Sequence, residues 1–122
     1  MDSGYIEKLY GKQKIALKFG NNAFELLCKM HGSNKVLDVG EILQQVGGER
    51  DLIFCAAQAA SLSSGKEFKL NKYQIGDWLD DMSQEDYEDI VNALTEAKIL
   101  GVEIKTLMEL AEQQKAEEEA KK

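Results

Sequence analysis

Apolar residues near the N-terminus occur at every second position. Ile15, Leu17 and Phe19 are separated by Lys14, Ala16 and Lys18. A period of two is typical of a strand with one buried face. A second apolar and polar segment, 5–10, precedes it and could pair with it across a short turn at 11–12. The pattern predicts a short N-terminal β-hairpin or strand.

After position 19 the apolar spacing changes to the alternating three and four of amphipathic helices. Four segments begin at a polar residue that is followed three positions later by an acidic or amide side chain, which is typical of helix N-termini. These starts are Asn22, Asp38, Asn71 and Ser83. We expect Gly32 to end the first helix. For the second, we expect Val39, Ile42, Leu43 and Val46 to share one face and Gly47 and Gly48 to end it.

A further helix is predicted over 49–63, followed by a loop over 63–69. Its middle, CAAQAAS, is rich in small side chains, which let neighbouring helices approach closely. We therefore expect this helix at the centre of a bundle.

The last apolar pattern has the spacing of one long packed helix. Its seam consists of Tyr87, Ile90, Leu94, Ala97, Gly101, Ile104, Met108 and Ala111. Glycine inside a helix costs about 1 kcal/mol relative to alanine, so we expect a bend or break at Gly101. The pattern ends at Leu110 and a charged segment follows.

These elements predict a mainly α fold: a small bundle of four or five helices, with the N-terminal hairpin or strand and a long C-terminal helix. At 122 residues the chain fits one domain. We place that domain at 1–110 and a charged, frayed tail at 111–122.

The net charge of −7 is unevenly distributed. Residues 1–72 contain ten basic and eight acidic side chains, whereas 73–122 contain five basic and fourteen acidic ones. A protein without a large basic patch is a poor ligand for nucleic acid, and an acidic face repels anionic lipid. The longest mainly apolar run, 52–62, is far shorter than the roughly 20 residues of a membrane span. With no secretory signal visible, we expect a cytoplasmic protein that binds neither nucleic acid nor membrane.

The acid-rich stretch DWLDDMSQEDYEDI, at 77–90, raises the question of a calcium site. An EF-hand loop needs an acidic or amide ligand at its third position and glycine at its sixth. Counted from Asp77, those positions hold Leu79 and Met82. Helical spacing instead puts Asp77, Asp80 and Asp81 opposite the apolar face, so we interpret the run as a solvated surface.

Cys28 and His31 have a spacing that could contribute to a zinc site with Cys55, but a structural zinc site needs four ligands and no fourth is evident. The other interpretation is a buried thiol beside a partly exposed imidazole. We expect two free thiols, as in a reducing cytosol. No convergent catalytic motif and no phosphate-binding loop are present. We therefore predict no enzyme activity, no catalytic residues, no metal and no cofactor.

Three segments together resemble a known family. IALKFGNNAFELL, DLIFCAAQAASLSSG and LNKYQIGDWLDDM are similar, in this order, to segments of the tail assembly chaperones of long-tailed bacteriophages and prophages. The resemblance covers 15–100. It implies a strand that leads directly into the first helix, a middle helix before a loop, then a short helix and an acid-started helix.

The resemblance also implies a function. Such chaperones are not enzymes; in the host bacterial cytoplasm they bind the tape measure protein while tail tube protein assembles around it. We expect weak self-association, with the segment after Gly101 mattering more for association than for folding. The alternatives are an acidic helical adaptor or an inhibitor that mimics DNA, and an enzyme with an acidic pocket.

An apolar groove between helices is the partner surface that we expect. The candidates are apolar residues that could line it: Phe24, Leu27, Trp78, Leu79, Tyr87, Val91, Ile104, Leu107 and Met108. Each of them could instead belong to the core. We also expect Trp78 to be largely buried, because Ile75 and Leu79 share its helix face.

Overall fold

Six helices and two β-hairpins form the part of the chain that this computed structural model describes, residues 4–33, 35, 38–99 and 101–120. In chain order they are β1 (Tyr5–Tyr10), β2 (Gln13–Lys18), α1 (Asn21–Met30), α2 (Asp38–Gln44), α3 (Gly48–Ser63), α4 (Lys72–Asp81), α5 (Gln84–Glu96), β3 (Lys98–Ile99), β4 (Val102–Glu103) and α6 (Ile104–Ala120). The mainly α fold with an N-terminal hairpin and a long C-terminal helix is confirmed, with six helices over the described ranges where four or five were expected. The two ends of the chain, 1–3 and 121–122, and position 100, where the resemblance ends, lie outside the described residues.

The N-terminal hairpin is an antiparallel pair, with Tyr10 opposite Gln13 across the turn at 11–12. The alternation read from the sequence is confirmed, because Ile15, Leu17 and Phe19 are all buried. β2 is followed almost at once by α1, so the buried face of the strand continues into the buried face of the helix.

Local capping was predicted correctly at two helices and wrongly at a third. Asn71 and Gln74 form a reciprocal capping box on α4, and Ser83 accepts the backbone N–H of Asp86 on α5. At α1 the predicted cap Asn22 lies inside the helix. Gly20 occupies the cap position without a side-chain hydrogen bond, because the turn from β2 starts the helix earlier than the polar pattern indicated.

α2 begins at Asp38 as expected but ends at Gln44. The early end leaves Val46 fully exposed, so its assignment to the inner face was wrong. Gly47 and Gly48, which we expected to end this helix, instead belong to the start of the next one. Gly47 is the N-cap of α3 and Gly48 is its first residue.

α3 is the central helix, as its small side chains predicted. Nine of its 16 residues are buried. It packs against β2, α1, α2 and α4. The alanines in its middle allow these elements to meet it on several sides.

The expectation of one packed helix from 87 to 111 was wrong, although the break at Gly101 was correctly placed. α5 ends at Glu96, and β3 and β4 form a second small hairpin before α6. Gly101 has φ of +85°, a left-handed conformation that glycine adopts without steric cost and that reverses the chain there. The backbone N–H of Ile104 donates to the carbonyl of Ala97 at 3.0 Å and closes the hairpin.

α6 packs against α2 at very short range. A Cβ atom added at Gly40 of α2 would lie 2.4 Å from the carbonyl oxygen of Leu107. Ile104, Leu107 and Ala111 are buried. The first half of α6 is therefore core, and the expectation that the segment after Gly101 matters more for association than for folding is not supported.

Beyond Ala111, residues 112–120 continue as helix and are all exposed. The division into a domain at 1–110 and a frayed tail stays a prediction. No helix within the described ranges has the length and apolar character required to cross a membrane.

Replacing Gly40 with alanine tests the contact between α2 and α6. We expect Gly40→Ala to lower the free energy of unfolding by about 1–3 kcal/mol, since the new methyl group meets fixed backbone. Gly76→Ala is the matched control. Gly76 is also helical, but its added Cβ would meet only the flexible Arg50 side chain, at 3.2 Å. Thermal or denaturant unfolding measures both variants, and equal stability of the two would contradict the close contact.

Two truncations test the division of α6. The described residues of the segment 112–122 are all exposed. We therefore expect its removal to lower Tm by less than about 4 °C. Removing everything from Gly101 onward deletes three buried side chains, and we expect that chain to be unfolded by circular dichroism. A folded chain that ends before Gly101 would show that the core does not need α6.

Candidate partner-binding groove

The nine candidate partner residues divide into two groups by exposure. Five belong to the core and are at most 6% exposed: Phe24, Leu27, Trp78, Ile104 and Leu107. Burial of Trp78 confirms that part of the sequence analysis, and its indole N–H donates to the carbonyl of Leu9 at 2.9 Å. The other four, Leu79, Tyr87, Val91 and Met108, are partly accessible, and Tyr87 is 36% exposed. A role for any of the nine in partner binding stays a prediction.

Leu79 and Tyr87 line the same open groove. It lies between the start of α3, the end of α4 and the start of α5, and has a volume of about 500 Å³. The lining residues are Gly47, Glu49, Arg50, Leu79, Asp80, Met82, Gln84 and Tyr87. We call this the α4–α5 groove.

The apolar part of the groove follows from the amphipathic pattern of α4. Ile75 and Trp78 are on the face of α4 that is buried in the core. Leu79 and Met82 are at the margin of that face and remain half-buried. The edge of the core thus continues into the α4–α5 groove as an accessible apolar strip.

A hydrogen bond fixes the opposite wall. The Tyr87 hydroxyl donates to Oε1 of Glu49, which joins α5 to the start of α3. This hydrogen bond, with partial burial and the nearby negative charge, raises the pKa of Tyr87 to about 12. The phenol therefore remains protonated at physiological pH and keeps its role as donor.

The acid-rich run lies beside the α4–α5 groove and divides into two parts. Asp77, Asp80 and Asp81 are exposed, as the helical spacing indicated. Asp86 and Asp89 instead bind Lys8 of β1, at 3.0 and 2.7 Å from its Nζ. These hydrogen bonds, first that of Asp89 and then that of Asp86, raise the pKa of Lys8. Part of the run therefore holds the hairpin to α5.

His31 lies against a carboxylate, and the two cysteines are partly or fully buried. His31 Nε2 lies 3.0 Å from Oδ2 of the buried Asp51, which also accepts from Arg50. Burial raises the pKa of Cys28, and raises that of Cys55 to about 12. Both thiols are free, as predicted. Within the described ranges no three side chains of the metal-binding types form a cluster.

The α4–α5 groove combines an accessible apolar strip with polar side chains at its rim. An apolar strip with a few charged side chains at its rim is suited to binding an amphipathic helix. Sequence reasoning placed Leu79 and Tyr87 among the candidates, and Met82 was visible in the α4 pattern. Glu49 and Arg50 were missed, because only the fold brings the start of α3 against α5, 38 positions away.

The reactivity of the two thiols tests their burial, that of Cys55 on α3 and that of Cys28 on α1. Alkylation needs an accessible thiolate, so we expect iodoacetamide to leave Cys55 unmodified in the folded protein even at about pH 9, and to react slowly with Cys28. Both should react fully in guanidinium chloride. Mass spectrometry of the digested protein measures each site, and rapid modification of native Cys55 would contradict its placement in the core.

Comparison with known proteins adds no relative: no family model, no curated protein and no solved structure matches the chain.

Proposed function

We propose that this protein is a non-enzymatic tail assembly chaperone of the long-tailed bacteriophage type, which binds the tape measure protein in the host cytoplasm and keeps it soluble while tail tube protein assembles. The observation that carries the proposal is the order of elements. The three resembling segments fall on β2 with α1, on α3 with its following loop, and on the short α4. The next helix, α5, has Glu85 and Asp86 in its first turn. This is the order that the resemblance implies.

The α4–α5 groove supports the same proposal. A tape measure chain is long, helical and apolar before it is enclosed, so it needs a partner that covers an apolar helix face and can later be displaced. A shallow apolar strip with a polar rim suits reversible binding of such a helix. The acidic residues around the strip keep the complex soluble.

The charge arrangement favours this function over mimicry of DNA. A mimic needs carboxylates displayed over much of one face at phosphate-like spacing. Lys8 binds both Asp86 and Asp89, which reduces the negative charge displayed beside the exposed acids of α4.

Co-expression tests the proposal as a whole. The tagged chain is expressed together with the neighbouring open reading frames, and the captured proteins are identified by mass spectrometry. We expect it to retain a long helical chain that is insoluble when expressed alone. Capture of only a DNA-binding protein, or soluble expression of the long chain without this protein, would contradict the proposal.

Variants of the α4–α5 groove test where the partner binds. We expect the double variant Leu79→Gln, Met82→Gln to weaken capture at least about tenfold, because truncating apolar contacts at the centre of an interface typically costs more than 1 kcal/mol. Leu62→Gln is the control, since Leu62 is an exposed leucine on α3 that does not line the groove. Unfolding curves of both variants check that the fold is retained. Equal capture by both would place the partner elsewhere.

A further inference from the structure

The two edges of the N-terminal hairpin are occupied differently. In an antiparallel pair, successive residues direct their backbone groups alternately to the partner strand and to the outer edge. The N–H of Phe19 donates to the carbonyl of Gly4 at 2.8 Å, so odd-numbered residues of β2 face β1. The backbone groups of Lys14, Ala16 and Lys18 therefore point to the outer edge of β2.

The outer edge of β1 is partly covered. Leu9 directs its carbonyl outward, and this carbonyl accepts the Trp78 indole N–H at 2.9 Å. Among the described residues, no side chain or backbone group makes a comparable hydrogen bond to the outer edge of β2.

A wide groove runs along that free edge. It lies between the hairpin, the end of α3 and the segment 66–70, with a volume of about 630 Å³. Ala57 and Phe68 contribute apolar surface to it. β2 has six residues, so the edge is about 20 Å long, enough for a short extended segment.

The charge of this groove is opposite to that of the whole protein. Its lining contains four lysines, Lys14, Lys18, Lys66 and Lys69, and two glutamates, Glu7 and Glu67. Lys14 lies 3.3 Å from Glu7. Lys18 and Lys69 form no salt bridge within the described part of the chain.

We propose that the outer edge of β2 binds an extended acidic peptide segment of a partner protein, which adds a third strand to the hairpin. Unpaired backbone groups supply the hydrogen bonds, as in other cases of strand addition. The lysines select the charge of the occupant. They also disfavour pairing with a second copy, because two such edges would bring lysines together. This surface is separate from the α4–α5 groove and does not depend on the proposed function.

Amide hydrogen exchange, followed by NMR, tests the proposal on the unmodified protein. The probe is a labelled peptide of about eight residues that alternates glutamate and valine, since that pattern favours an extended strand. We expect its addition to slow exchange at Lys14, Ala16 and Lys18. Ile15 and Leu17 serve as internal controls, because their N–H groups already face β1. Unchanged exchange at the three edge amides, or protection of them by self-association before peptide is added, would overturn the proposal.

Binding measured by fluorescence anisotropy separates charge from backbone pairing. We expect the double variant Lys18→Glu, Lys69→Glu to weaken binding about tenfold or more. The control variant Lys98→Glu, Lys105→Glu reverses the charge of two exposed lysines elsewhere and should have little effect. A peptide N-methylated at alternate amides, and one with lysine in place of glutamate, should bind weakly or not at all. Equal binding of the N-methylated peptide, or no binding of the acidic peptide, would overturn the proposal.

Discussion

Burial of α3 is the constraint on which the rest of the structure depends. The helix has small side chains where other elements cross it, and Cys55 and Ala56 have no exposed surface. β2, α1, α2 and α4 all pack against it. A larger residue on this helix would separate several neighbours at once, because interiors are packed too densely to absorb added volume. The positions of the hairpin, of α4 and hence of both surface grooves follow from this one helix.

Local signals explain what could be predicted from the sequence. The alternation of Ile15, Leu17 and Phe19 indicated the strand, and the cap at Asn71 indicated the start of α4, because both effects act within a few residues. The turn at Gly101 is not determined by local apolar spacing. Ala97 and Ile104 are both buried although the chain reverses between them, so an apolar spacing that fits one helix does not exclude a reversal. The contact of α6 with α2 is tertiary and leaves no pattern in this spacing.

The candidate groove shows the same limit. Leu79 is at the margin of an amphipathic face, and its spacing within α4 is visible in the sequence. The wall formed by Glu49 and Arg50 is a tertiary contact with no local pattern. Phe24 and Leu27 have the same apolar character as Leu79, and only the fold shows that they are enclosed. Apolar periodicity predicts which side of a helix is inward, but not where the core ends.

The basic and the acidic parts of the chain contribute to different surfaces. The basic side chains of the N-terminal half include the lysines along the edge of β2, whereas Asp80, from the acidic half, lines the α4–α5 groove. An apolar helix and an acidic extended segment could therefore bind the same molecule without competing. Such a division suits a protein that works by contact, since each partner meets a surface of its own chemistry.

Hydrogen–deuterium exchange, measured on the chain alone and in complex with a co-purified tape measure protein, is the most direct test of the proposal that this protein covers an apolar helix. We expect slower exchange in peptides that contain the end of α4 and the start of α5, with no change over 112–120. A stable complex with unchanged exchange at 79–87 would contradict it.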